Sequence, residues 1–353
     1  MRYILLLFLF LSSVNSFAKE TSIFTTSKCF DLIASLQNFE KLTDEDSFLR
    51  LSQDTTFIKA LNAINEQVTA SKLCNFFAKF TDERNDLDSC ARFFNMMNVN
   101  SDIQSSNEEW IKQIRELQPE LSICFNKIID ADFSRYWENV VSPKLETYIS
   151  SYPLDVHLLN NIHNELDAFS EPEGFPDTQT KIYVMNIDNA FSLMDESFCC
   201  TPLLLNPEIE KQYRLDFIKV YIHENLHKLY ISRELMSELE LLMQDEFYRE
   251  NEQKARGYNE GKNEAFIVAA EVYISRKLGR RDAQSVYDEF KEYIDGSLVL
   301  APIIYTHLTD KSSNESYNDF LFQLFSKGLI SSGNIKQSYT NAMHQLYLNT
   351  IKL

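Results

Sequence analysis

Residues 215–229 read LDFIKVYIHENLHKL, and this stretch decides how the second half of the chain folds. Its apolar residues recur at intervals of three and four positions, which predicts an amphipathic helix. His223 and His227 are four residues apart, so on a helix they lie one above the other on the same face. Two imidazole nitrogens in this arrangement can bind one Zn²⁺ ion together, at about 2.0–2.1 Å each.

Glu224 follows the first of these histidines and completes the pattern His-Glu-x-x-His. Its carboxylate can reach the coordination position that the histidines leave open, and can act there as a general base toward a water molecule. Given 6 His and 52 acidic residues among 353, chance produces the broader pattern His-acid-x-x-His only about 0.015 times per such chain. The alternative is three polar residues on the solvated edge of a helix. The pattern predicts a metal-assisted hydrolase with Glu224 as the catalytic base.

A catalytic zinc needs a third protein ligand, and the sequence offers several carboxylates for this position. No His-x-x-Gly-x-x-His continuation follows His227. An apolar helix is predicted over residues 263–278, and we expect Glu264, in its first turn, to be the ligand. Glu260 is the nearest rival, and Glu271 is expected to support a ligand or to pair with a buried charge. The ordinary alternative is a first-turn glutamate that the helix dipole favours.

The motifs His-Glu-x-x-His at 223–227 and Asn-Glu-Ala-Phe at 263–266 together resemble the gluzincin metallopeptidases, which include thermolysin-like and aminopeptidase-like enzymes. The resemblance covers roughly residues 180–280. It implies a zincin-like catalytic domain in which Zn²⁺ is held by the two histidines and by Glu264. It also implies that the substrate is a peptide or a protein.

The distribution of glycine predicts a mainly α, α+β protein. Only 7 Gly occur in the chain and none in residues 19–150, which predicts a helical domain there, since glycine supplies the conformations that turns need. After a loop at 170–176, residues 181–187 and 197–205 read as two strands. The predicted catalytic domain, 151–353, therefore has a small sheet beside the motif helix. Such a sheet can shape a cleft in which an extended peptide adds as a further strand.

The first residues have the pattern of a secretory signal peptide, predicted over residues 1–18. An arginine is followed by an apolar run at 3–11 and by Ser16-Phe17-Ala18, with small residues at the cleavage positions. The apolar run is too short to span a bilayer, and no later stretch of 18 apolar residues occurs. We therefore expect a secreted or periplasmic protein without stable membrane insertion.

The cysteine content bears on disulfides and zinc binding, and the net charge bears on possible partners. Six cysteines in an exported chain favour disulfides, and the absence of any Cys-x-x-Cys spacing argues against a zinc knuckle. The net charge of −18 disfavours nucleic acid as a partner, because such a surface repels phosphates.

These observations predict an exported zinc-dependent peptidase that uses a metal-activated water. The alternative is an exported helical binding protein with a structural or degenerate zinc site, because the first half of the chain contains no recognisable chemistry. Tyr305 and His307 are candidate donors to the oxyanion of the reaction, although core packing explains them equally well.

Overall fold

The computed structural model describes residues 23–152, 156–170, 181–193, 197–208, 216–258 and 260–351. Of the residues that the structure describes, 69% are helical and 3% lie in strands, which confirms the predicted mainly helical class with a small sheet. The predicted signal peptide and most of the predicted loop at 170–176 lie outside the described residues.

Short helices make up the first half of the protein. They are α1 (Lys28–Ala34), α2 (Asp46–Leu51), α3 (Thr55–Asn65), α4 (Ala70–Phe80), α5 (Leu87–Met96), α6 (Ser101–Ser105), α7 (Glu109–Glu116), α8 (Gln118–Asp130), α9 (Phe133–Tyr136), which continues as a π-helical turn over Trp137–Val141, and α10 (Ser142–Ser151). Several begin after a polar residue whose side chain accepts a hydrogen bond from a first-turn N–H, which stabilises the start of a helix. These capping residues are Ser27, Asp54, Thr69, Asp86 and Asn100.

The second half contains the longest helices. They are α11 (Val156–Asp167), α12 (Phe217–Leu226), α13 (Arg233–Leu242), α14 (Glu246–Gly257), α15 (Glu264–Lys277), α16 (Ala283–Glu292), α17 (Leu300–His307), α18 (Tyr317–Ser326) and α19 (Ile335–Thr350). A turn at Tyr293–Gly296 follows α16, and two of its residues, Ile294 and Asp295, have left-handed backbone conformations.

One mixed sheet is formed by β1 (Phe24–Thr25), β2 (Ile182–Val184), β3 (Phe191–Ser192) and β4 (Phe198–Cys200). Its strand order is β1-β2-β4-β3, with β3 antiparallel to β4 and the other pairs parallel. The predicted strand at 181–187 contains β2. The predicted strand at 197–205 is too long, because β4 ends at Cys200. Residues Pro202–Leu205 form a 3₁₀ turn instead, since proline has no N–H to donate to a neighbouring strand.

The first and second halves of the chain share this sheet and one core. Phe24, from the predicted helical domain, pairs with Ile182 of the predicted catalytic domain. On α1, the buried carboxylate of Asp31 accepts hydrogen bonds of 2.7 Å from the backbone N–H of Asn186 and from the indole of Trp137. A single connected cluster of buried side chains includes residues from both halves. The two predicted domains, which meet near residue 150, therefore share one continuous hydrophobic core.

All six cysteines are buried, and no disulfide is found among the described residues. Burial raises the pKa values of the Cys74, Cys90 and Cys200 thiols, which keeps them protonated and unreactive. Cys199 and Cys200 are consecutive in β4, so their side chains leave the strand on opposite faces. The disulfides expected of an exported chain stay a prediction.

None of the helices in the described ranges is at once long enough and apolar enough to cross a bilayer. The longest of them, α19, has 16 residues.

Candidate metal centre

The motif helix α12 presents both histidines on one face. It begins after Asp216, whose carboxylate accepts a hydrogen bond of 2.9 Å from a first-turn N–H. The helix is shorter than the predicted 215–229, because it ends before His227, which is the C-terminal capping residue. His227 nevertheless keeps right-handed helical angles, φ −63° and ψ −17°, so its ring still lies one turn beyond that of His223.

The carboxylate of Glu264 reaches this face from a neighbouring helix. The sequence predicted a buried helix over 263–278, and α15 confirms it, with 11 of its 14 residues buried. Glu264 is the first residue of α15 and its side chain is only 1% exposed. Because α15 packs against α12, this first turn lies beside the two histidines.

The three predicted ligands converge on one point. His223 Nε2 is 3.1 Å from His227 Nε2, and it is 3.3 Å from Oε1 of Glu264. His227 Nε2 is 3.7 Å from Oε2 of the same carboxylate. Two nitrogens that each bind one zinc ion at 2.0–2.1 Å lie about 3.3–3.4 Å apart at a tetrahedral angle. The spacing of the imidazoles therefore suits a shared metal ion.

Glu264 carries the observation that a metal explains best. Its Oε1 atom is buried and accepts no hydrogen bond. A buried carboxylate oxygen without a partner is costly, whereas a cation between it and the imidazoles would satisfy it. Within the described residues, His223, His227 and Glu264 form the cluster that can hold a metal ion, and their ligand atoms all lie within 4.8 Å of one another.

The electrostatics of the cluster keep its members uncharged without a metal. Burial, with help from His227 and Lys219, lowers the pKa of His223 to about 3, and burial also lowers the pKa of His227. Burial, together with the negative charges of the nearby Glu260 and Glu224, raises the pKa of Glu264 to about 8. The imidazoles are therefore neutral at pH 7, and neutral imidazole is the form that binds a metal.

Glu224 lies at the edge of the sheet. Burial raises the pKa of its carboxyl to about 7, which is the range expected of a general base. The carboxylate accepts a hydrogen bond from the backbone N–H of Ser192 in β3, the edge strand. The carbonyl of Ser192 accepts a hydrogen bond of 3.3 Å from Asn75 of α4. The helical first half of the chain therefore contacts the strand beside the proposed base.

The rival carboxylates occupy other positions. Glu260 is half-buried, and its carboxylate accepts a hydrogen bond from the phenol of Tyr293, outside the metal-binding cluster. Glu271 is buried against Arg281, with a shortest N–O distance of 3.1 Å. The prediction that Glu271 pairs with a buried charge is thus confirmed.

The two candidate oxyanion donors, Tyr305 and His307, make their contacts with residues outside the cluster of three ligands. Tyr305 packs against Tyr273, which lies nine residues beyond Glu264 on α15, or about 14 Å along the helix axis. His307 is 3.7 Å from Asp310.

Tyr293 is the residue that the sequence did not indicate. It follows α16, and its hydroxyl donates a hydrogen bond to Glu260. The negative charge of the nearby Glu264 helps to raise the pKa of the Tyr293 phenol. Tyr293 lies near Lys219 of α12, which also forms an ion pair with Glu289 of α16, and no local spacing in the sequence encodes these contacts.

Three comparisons with known proteins complete the description. No family model matches this chain, and no curated protein or solved structure matches it.

Proposed function

We propose that this chain is an exported zinc-dependent peptidase of the gluzincin type. The observation that carries the proposal is the convergence of His223, His227 and the unpartnered Oε1 of Glu264. Glu224 follows His223 in the chain and is close enough to raise the pKa of Glu264. Two imidazoles and one carboxylate are a ligand set of catalytic zinc sites that keep one position open for a water molecule.

The residues of the chain have distinct roles in this proposal. Zn²⁺ held by His223, His227 and Glu264 would supply Lewis acidity, which would polarise the scissile carbonyl and lower the pKa of a water molecule. Glu224, with a pKa of about 7, accepts the proton of the attacking water and returns it to the leaving amine. Tyr293 supplies a hydroxyl donor near the carboxylates and is our candidate for stabilising the oxyanion.

The position of β3 supports a peptide as the substrate. It is an edge strand next to α12, and an extended peptide can add to such an edge through main-chain hydrogen bonds. Ser192 is the residue of β3 whose N–H and C=O are bound by Glu224 and Asn75 rather than by another strand. A substrate strand would exchange these contacts for its own and would then lie beside the base.

The test begins with metal content and then measures cleavage. The purified chain without its first 18 residues is expected to bind one Zn²⁺ at neutral pH and to cleave an unfolded protein substrate. Glu224→Gln keeps the ligands but removes the base, so we expect bound zinc with cleavage reduced by at least about 100-fold. His223→Ala removes a ligand, so both zinc and cleavage should be lost.

A matched control is His344→Ala, which removes an exposed imidazole from α19, far from this cluster in sequence. It should leave both zinc content and cleavage unchanged. Cleavage by Glu224→Gln at the parent rate would reject the assignment of the base. A parent protein without bound zinc at neutral pH would reject the peptidase proposal altogether.

One observation favours a second candidate, an exported helical binding protein with a structural or degenerate zinc site. The carboxylate of Glu224 is hydrogen-bonded to Ser192, and the helical half contacts the same strand through Asn75. If these hydrogen bonds persist when a substrate is present, the carboxylate of Glu224 stays bound to Ser192 and is not free to accept a proton from water. Zinc binding by the parent without any cleavage of unfolded substrates would favour this candidate over the peptidase.

A further inference from the structure

A network of buried ion pairs connects the helices that carry the predicted metal ligands. The guanidinium of Arg281, between α15 and α16, donates to both carboxylate oxygens of Glu271, at 3.1 and 3.3 Å, and to Glu289 at 3.0 Å. The side chains of Arg281, Glu271 and Glu289 are 9%, 1% and 14% exposed. Arginine suits this position because its planar group can bind two carboxylates at once.

The network continues to the helix that carries the histidines. Lys219 Nζ is 2.7 Å from Oε1 of Glu289, and Lys219 lies one turn before His223 on α12. Glu271 lies two turns after Glu264 on α15, on the same face. One chain of ion pairs therefore joins the helix with two ligands to the helix with the third.

The same contacts bring Tyr293 to the site. Glu289 and Tyr293 are four residues apart, and the ammonium group of Lys219 lies 5.8 Å from the centre of the Tyr293 ring. The pair between Lys219 and Glu289 therefore aligns the end of α16 with α12, next to His223.

The energetics of buried ions argue that this network does more than stabilise the fold. Removing charges from water is expensive, so a buried ion pair contributes little net stability compared with apolar side chains of the same size. A metal site, in contrast, needs ligands held within about 0.5 Å of the required geometry. A rigid network that fixes two ligand-bearing helices against each other meets this need.

We propose that Arg281 is a positioning residue of the metal centre. It binds Glu271 of α15 and Glu289 of α16, and Glu289 in turn binds Lys219 of α12. Through these contacts Arg281 fixes the distance between the histidines and Glu264. The proposal rests on the proposed zinc site, but it does not depend on peptidase activity. It assigns Arg281 no contact with the metal or with a substrate.

The test compares three variants of the full mature chain. Arg281→Met removes the guanidinium. The double variant, Arg281→Met with Glu271→Gln, removes one positive and one negative charge, so that no uncompensated carboxylate stays buried. Arg281→Lys keeps the charge but cannot bind both carboxylates in a fork. Arg280→Met, at the exposed neighbouring position, is the matched control.

Three properties are measured on each protein: Zn²⁺ affinity by competition with a chromophoric chelator, the visible spectrum of the Co²⁺-substituted protein, and thermal unfolding of the metal-free protein. In the double variant we expect zinc affinity to fall 10- to 100-fold, as when outer partners of metal ligands are removed. The Co²⁺ spectrum should change, while metal-free unfolding stays near that of the parent. Arg281→Lys should recover part of the affinity, and Arg280→Met should match the parent.

Two results would overturn the proposal. One is a folded double variant with the zinc affinity and Co²⁺ spectrum of the parent. The other is a loss of metal-free stability that accounts for the whole loss of affinity, because Arg281 would then support only the fold. A parent that binds zinc but cleaves nothing would reject the peptidase and leave the positioning role intact, whereas a parent that binds no zinc rejects both.

Discussion

The carboxylate of Glu264 is the residue-scale feature on which the metal centre depends. Its Oε1 atom is buried without a hydrogen-bond donor, and burial raises the pKa of the group to about 8. A carboxylate in such a place opposes folding unless a proton or a cation neutralises it. The position of Glu264 therefore suits a metal ligand.

Glu264→Gln should separate the ligand role from a structural one. The amide is neutral, so we expect zinc affinity to fall by at least about 100-fold, more than for the loss of an outer partner. The metal-free protein should be at least as stable as the parent, because no buried charge has to be neutralised. Zinc titration and chemical denaturation of the metal-free protein measure the two effects.

Glu260→Gln is the control for this change, since Glu260 is the nearest alternative carboxylate and is only half-buried. It should bind zinc within a few-fold of the parent. A larger loss of affinity in Glu260→Gln than in Glu264→Gln would identify Glu260 as the third ligand instead.

At this scale the sequence predicted the metal cluster well and its surroundings poorly. His223, Glu224 and His227 follow from spacing on one helix, and Glu264 follows from a lone acid at the start of an apolar helix. Tyr293 could not be predicted in the same way. It reaches the site through contacts between helices that are distant in the sequence, and such contacts leave no local pattern.

At the scale of elements, the start of α12 sets the position of both histidines. Asp216 caps this helix through a hydrogen bond from a first-turn N–H. Asp216→Ala removes the acceptor, and we expect the free energy of unfolding to fall by about 0.5–2 kcal/mol. Denaturation in urea measures this loss.

Asp216→Asn serves as the control, because asparagine caps helices about as well as aspartate does. It should lose much less stability than the alanine variant. Equal losses in the two variants would show that the charge of Asp216, rather than its capping bond, supports the helix.

Asp31 joins α1 to the loop after β2, and burial raises its pKa from 3.8 to about 7. Between these two values the folded state keeps a proton that the unfolded state has lost. The contribution of Asp31 to stability is therefore full below about pH 4 and is lost as pH rises toward 7. Cys74 and Tyr136 are close to Asp31, but their pKa values are also raised, so they stay neutral throughout this range.

Asp31→Asn removes this titration, although its amide loses the hydrogen bond from Trp137 or from Asn186. We expect the parent to exceed the variant in stability most strongly near pH 4, and the difference to shrink by several kcal/mol by pH 8. Urea denaturation of both proteins between pH 4 and pH 8 measures the difference in their free energies of unfolding. The contributions of the other titrating groups cancel in this difference. A difference that does not change with pH would contradict the prediction.

The elements themselves were predictable to different degrees. The long helices follow from scarce glycine and regular apolar spacing, and β2 follows from its run of apolar residues. In contrast, β1 and β3 have two residues each, which is too short for any periodicity to appear. Their existence depends on partners elsewhere in the fold.

At the scale of the whole molecule, the two halves of the chain depend on each other. Because β1 completes the sheet and Asp31 binds Asn186, residues 151–353 alone would expose one edge of β2 and the core beneath it. We expect this fragment to lack cooperative unfolding and to bind zinc much more weakly than the mature chain. Circular dichroism during heating and zinc titration measure both properties.

Adding residues 19–150 as a separate chain is the control for this experiment. It should restore zinc binding at least in part, since it supplies β1, α1 and α4. A fragment 151–353 that unfolds cooperatively and binds zinc as the full chain does would instead establish an independent catalytic domain.

The parallel pairing of Phe24 with Ile182 also bears on how quickly the protein can fold. A strand near the start of the chain must wait for a partner that is synthesised much later, and contacts of such long sequence separation slow folding. The histidines and Glu264 come later still. We therefore expect refolding to be rate-limited by closure of the sheet, so that the uptake of zinc from solution would follow the kinetics of folding rather than those of diffusion.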